Sequence, residues 1–133
     1  MSDASLDALS SIPLFAEIDR DGLDVIARLA TEFTAPAGQV LAEVGRPGTG
    51  LFIIEEGSVV VDLSDGRQVE LGPGEFFGEV ALLTDSPRNA RVRAATDVRC
   101  LAIGRHEFSL VLDAQPTIAA KMLPVVARRL SGD

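Results

Sequence analysis

The apolar positions of this 133-residue chain change spacing twice, dividing it into a helical start, a long strand-like middle and a helical end. Leu6 and Leu9 lie three apart ahead of Ser10 and Ser11, which predicts a short first helix. Asp19 precedes a run in which Leu23, Ile26, Ala27 and Ala30 recur on one helical face. This pattern predicts a second helix, capped by the Asp19 carboxylate and reaching to about residue 30. From Thr31 to Arg105 the apolar runs are short and cut by Gly38, Gly45, Gly48, Gly50, Gly57, Gly66, Gly72 and Gly74. Such punctuation predicts many short strands joined by tight turns. Strands are expected over residues 39–42, 51–56, 58–64, 67–71, 91–95 and 98–104, with Asp65-Gly66 turning a hairpin.

Helical spacing returns over residues 105–112, and a last helix begins at Pro116, where a missing N–H costs nothing. Ile118, Met122 and Val126 share a face there, extended by Val125 and Leu130. Pro124 removes a backbone bond inside that helix and predicts an interruption, with a kink near Ala120. The kink serves either as a hinge or as a bend around the strands. The expected architecture is one domain over 1–133, mainly β with flanking helices. It is a jelly-roll β-barrel (double-stranded β-helix) over about 31–105, with helices over about 5–30 and 105–130.

Composition narrows the function. Hydrophobic residues make up 47% of the chain and aromatics 5%, so the core is aliphatic. The net charge of −8, with no extended basic helix, argues against nucleic acid as a partner. Arg88, Arg91, Arg93, Arg99 and Arg105 cluster within one stretch; Arg93, Arg99 and Arg105 read as a solvated face. One cysteine, Cys100 in an apolar run, reads as a buried structural thiol. One histidine, His106, is too few for a cupin-type metal centre, so no metal or cofactor is expected. There is no Ser-His-Asp set and no Gly-rich Lys loop, which argues against an enzyme. No stretch is apolar enough to span a bilayer and the first residues lack a basic start, so the expectation is a cytoplasmic protein without membrane contact.

Candidate chemistry concentrates in residues 77–94, FGEVALLTDSPRNARVRA. Residues 79–83 can form one helical turn whose free N–H groups favour an anion. Arg88 follows a loop of Asp85, Ser86 and Pro87, from which its guanidinium can reach the same anion. Glu79 beside an anion needs a donor, and a sugar hydroxyl supplies one. A cyclic nucleotide offers one phosphate charge and one free 2′-hydroxyl.

These residues strongly resemble the phosphate-binding cassette of the cyclic nucleotide-binding domain family. The family includes catabolite-activator-type regulators, regulatory subunits of cAMP-dependent kinase and nucleotide-gated channels. The resemblance extends from about Leu14 to Leu130, through Pro13-Leu14-Phe15, Pro36-Ala37-Gly38, and residues 51–57, LFIIEEG. It implies that Arg88 pairs with the cyclic phosphate, helped by backbone amides of Ala81, Leu82, Asn89 and Ala90. It also implies that Glu79 accepts the ribose 2′-hydroxyl, that Gly78 lets the backbone approach the sugar, and that the last helix is a lid over the base.

Val61, Val69 and Leu71 match family positions lining the purine, although core packing accounts for their apolar character equally well. Arg128 or Arg129 either caps the base or forms solvated surface. Asn89 departs from the family's Ser/Thr or small residue; the missing hydroxyl weakens the case for cGMP and favours cAMP. Arg91 either adds to the phosphate site or points to solvent. A bacterial-type sensor acting through an unknown effector protein, as a monomer or weak dimer, is the leading expectation. The alternatives are a nucleotide-independent β-roll used for protein contacts, or the sensor part of a longer regulator, since no helix-turn-helix follows before Asp133.

Overall fold

The computed structural model describes residues 3–42, 50–63, 65–78 and 90–130. Helix α1 (Asp3–Ser10), a 3₁₀ turn (Pro13–Phe15) and helix α2 (Arg20–Leu29) lead into the strands. Asp19 caps α2 as its sequence predicts: the carboxylate accepts a hydrogen bond from the Gly22 N–H at 2.8 Å. The strands are β1 (Ala30–Ala35), β2 (Val40–Ala42), β3 (Gly50–Glu56), β4 (Val59–Leu63), β5 (Gln68–Leu71), β6 (Phe76–Phe77), β7 (Ala90–Ala94) and β8 (Val98–Gly104). They form two antiparallel four-stranded sheets with orders β1-β8-β3-β6 and β2-β7-β4-β5, the arrangement of a jelly roll. Helices α3 (Arg105–Ala114) and α4 (Pro116–Leu130) follow, with a 116° change of direction between them.

Two-residue alternation divides the core. In the first sheet Leu51, Ile53, Leu101 and Ile103 pack against the helices, beside Leu9, Phe15, Leu23, Ile26, Ile118 and Met122. The intervening Ile54, Val98 and Cys100 face the second sheet and pack with Val59, Leu71, Val92 and Ala94. Ile118, Met122 and Val126 are all buried, as their shared helical face requires. Cys100 is fully buried; burial, and then the charge of Glu55, push its thiol up to about 11, so it stays protonated and packs as a small apolar group.

Three expectations need correction. Ala30 does not continue α2: residues 30–35 pair with β8, from Ala30 opposite Ile103 to Ala35 opposite Val98, and this ladder overrides the helical spacing. Phe76–Phe77, not expected as a strand, pairs with Ile53 and Phe52 of β3. Pro124 does not interrupt α4, which runs through it from Pro116 to Leu130. Burial of Ile118, Met122 and Val126 on the core side offsets the one missing bond. The Asp65-Gly66 hairpin forms as expected, with Gly66 at φ +90° and the Leu63 N–H bonded to the Arg67 carbonyl at 2.9 Å.

Solvation of Arg93 and Arg99 is only partial, because both enter ion pairs. Arg93 lies 3.4 Å from Asp62. Arg99 reaches Glu56 at 2.7 Å and lies 4.0 Å from both Glu55 and Glu32. Glu55 sits where the β3–β8 register shifts, and its buried Oε1 has no hydrogen-bond partner. Burial, then the Glu32 carboxyl, push Glu55 up to about 7 against the opposing pull of Arg99. The folded chain therefore keeps a proton that the unfolded chain releases, and stability falls as pH rises from about 4.5 to about 7. Glu55→Gln is expected to remove that slope and to be more stable above pH 7, on the order of 1 kcal/mol after solvent screening. Urea melts at pH 5 and pH 8 check it; a slope retained in the variant would assign the titration to another group.

Candidate functional site

The inner face of the second sheet carries the apolar positions singled out in the sequence. Val59 pairs with Leu71 and Val61 with Val69 across β4 and β5, while Val61 also faces Val92 and Leu63 faces Ala90 across β4 and β7. Because side chains alternate, Val61, Val69, Leu71 and Ala90 lie on one face. Val59 and Leu71 close the core, whereas Val61 is half-buried and Val69 is 42% exposed. An apolar shelf thus continues beyond the packed interior. The opposite face is polar: Asp62 accepts from Gln68 at 2.7 Å and lies beside Arg93. Arg91, paired with Asp62, belongs to that outer face and is exposed, so it points away from the shelf.

Leu71 also borders an open cleft of about 420 Å³, lined by Pro13, Leu14, Pro73, Gly74, Glu75, Phe76, Lys121, Val125, Arg128 and Arg129. Its size lies within the range of about 300–1,000 Å³ typical of small-molecule clefts. Edge strands β5 and β6 and the turn joining them form one wall, the 3₁₀ turn another, and α4 the third. Gly74 makes the corner: its φ is +85°, and a Cβ there would sit 2.8 Å from Pro13 Cδ.

α4 is fastened across this cavity at two points. Lys121 donates to the Pro13 carbonyl at 3.0 Å and lies 3.7 Å from Glu17. Arg129 donates to the Phe76 carbonyl at 2.7 Å, with its guanidinium 5.0 Å from the centre of the Phe76 ring. Three expected base-pocket residues, Leu71, Arg128 and Arg129, therefore border one cavity, while Val61 and Val69 lie on the adjoining shelf. Phe76, Glu75 and Lys121 were not anticipated from the sequence; only the Phe76-Phe77 pair preceding the glycine could have signalled them.

Gly78 has φ +95°, a conformation that favours glycine, and it directly follows β6. Ala90 opens β7. Glu79, Ala81, Leu82, Arg88 and Asn89 lie outside the described residues. Their segment, 79–89, is bounded by Gly78 on one side and by the inner-face residue Ala90 on the other.

A family profile for the cyclic nucleotide-binding domain matches residues 32–115. The chain belongs to the cyclic nucleotide-binding domain family. A cyclic nucleotide-gated potassium channel of Mesorhizobium japonicum is 40% identical over 111 residues, covering 84% of this chain and 31% of the channel. The Thermus thermophilus catabolite activator protein is 28% identical with a TM-score of 0.78, over 90% of this chain and 59% of that one. The regulatory subunit of a cAMP-independent protein kinase A from Trypanosoma cruzi, bound to guanosine, is 26% identical with a TM-score of 0.79. That match covers 90% of this chain and 44% of the subunit. This cyclic nucleotide-binding domain thus spans about a third of the channel sequence it matches.

Proposed function

We propose that this cyclic nucleotide-binding domain is a sensor that prefers cAMP to cGMP and couples ligand binding to movement of α4. The observation that carries this reading is the apolar shelf of Val61, Val69 and Leu71 leading into a cavity roofed by α4. An aliphatic shelf suits a stacked purine face. Arg88 supplies a pH-independent charge for the cyclic phosphate, with amides of Ala81, Leu82, Asn89 and Ala90 around it. Glu79 takes the ribose 2′-hydroxyl, and Gly78 clears space for the sugar. The role is regulatory rather than catalytic, exercised through an effector protein or a longer chain.

The match to a cAMP-independent regulatory subunit bound to guanosine favours one second reading, in which the site takes a nucleoside. A nucleoside has no phosphate to engage Arg88, which is why the cyclic nucleotide leads. Calorimetric titration of the stripped protein with cAMP, cGMP, adenosine and guanosine separates them. Saturable one-to-one binding, tighter for cAMP than for cGMP, is the expected result. Tighter binding of guanosine would replace the proposal with the nucleoside reading, and no binding of any of the four would move the weight to a protein-contact β-roll. Glu79→Ala is expected to weaken cAMP binding by about 1–3 kcal/mol, less than loss of the phosphate contact.

A further inference from the structure

Strand β6 lies at the edge of its sheet and is bonded to β3 on one side only. Backbone carbonyls alternate in direction along a strand, and Glu75 turns its carbonyl toward β3, accepting from the Ile54 N–H at 2.9 Å. The next carbonyl, that of Phe76, consequently faces the open edge, where no strand among the described residues satisfies it. Arg129 of α4 meets it there, donating through Nη2 at 2.7 Å while its guanidinium lies over the Phe76 ring. Phe77 anchors the same strand from within, its ring stacked on Phe52 at 5.1 Å. Gly78 follows at once, and beyond it begins the segment that carries Glu79 and Arg88.

We infer that Arg129 is a positioning residue that transmits movement between α4 and the nucleotide-binding segment, by tying the last helix to the main chain of the strand that leads into it. The inference rests on the sensor reading and gives Arg129 a different task from capping the base. The bond is to a backbone carbonyl, so a displaced helix moves the strand itself; a side-chain partner could absorb the shift by changing rotamer. The bond also holds β6 on the side where no strand among the described residues pairs with it, guarding that side against fraying. Lys121, about two turns earlier in α4, bonds the Pro13 carbonyl, so the contact of α4 with β6 runs through Arg129.

The test uses the 133-residue chain carrying spin labels at L123C and E70C, both exposed sites, one on α4 and one on the outer face of the second sheet. The label-to-label distance is measured by pulsed electron resonance with and without cAMP, in parent, Arg129→Met and Arg129→Lys backgrounds. Methionine keeps an apolar stem but no donor, whereas lysine keeps a donor and a cation. cAMP is expected to shift the distance in the parent. At saturating cAMP the shift should be lost in Arg129→Met, and Arg129→Lys should restore it at least in part. A full shift in Arg129→Met, no rescue by lysine, or binding without any shift in the parent would overturn the transmission role.

Hydrogen exchange without nucleotide tests the attachment independently. Arg129→Met should speed exchange in β6 and the last turn of α4 by roughly tenfold, as expected for loss of one charge-assisted bond. Unchanged rates would overturn the tie itself. If the parent binds no cyclic nucleotide, the sensor reading fails and the transmission role with it, while the exchange rates still decide whether Arg129 holds β6.

Discussion

Arg88→Glu is expected to lower cyclic nucleotide affinity by at least about a hundredfold while leaving the fold intact. If Arg88 holds the phosphate as proposed, the substitution removes a charge-assisted, two-pronged contact and sets a carboxylate against the phosphate, so loss and repulsion act in the same direction. Arg88→Lys should fall between parent and Arg88→Glu, because an ammonium supplies the charge but not the planar pair of donors. Arginine also stays charged across the accessible pH range, so the parent's affinity should not fall through deprotonation of this group. Calorimetry measures the affinities, and circular dichroism checks that the sheets persist. Unchanged affinity in Arg88→Glu would mean that the phosphate is held elsewhere, and the assignment of residues 79–89 as the binding segment would go with it.

Ile53→Ala is expected to destabilise the domain by about 2–5 kcal/mol, a large part of the roughly 5–15 kcal/mol that holds a domain of this size together. Ile53 is fully buried at the centre of β3, opposite Leu101 of β8 on one side and Phe76 of β6 on the other. Its side chain packs in the cluster that joins the first sheet to α1, α2, α3 and α4, so a cavity there cannot collapse by moving one element alone. Urea denaturation gives the value directly. Because Ile53 seats β6, the variant should also loosen the strand that leads to Gly78, weakening nucleotide binding even where the protein remains folded. A loss below about 1 kcal/mol would contradict the packing around this position.

Much of this molecule was legible in the sequence because it depends on neighbours along the chain. The Asp19 cap, the Asp65-Gly66 hairpin, the alternation through residues 51–56 and 98–104, and the shared face of Ile118, Met122 and Val126 are all local patterns. The family was readable for the same reason: Gly78, Glu79, Arg88 and their spacing stand together in one short segment. Two strands were not readable. β6 has only two residues, too few for any period, and β1 begins at Ala30, which also fits the helical face of the preceding run.

The sequence by itself determined the strand-rich middle, its aliphatic core and the residue types offered to a nucleotide, since periodicity and turn chemistry act over a few residues. Tertiary structure alone decided that residues 30–35 pair with β8, that α4 continues through Pro124, and that Arg129 meets the Phe76 carbonyl. Each of these depends on groups far apart in the chain, 53 residues apart for Arg129 and Phe76. An open strand edge and the end of a helix acquire their partners only when the sheets and helices have packed.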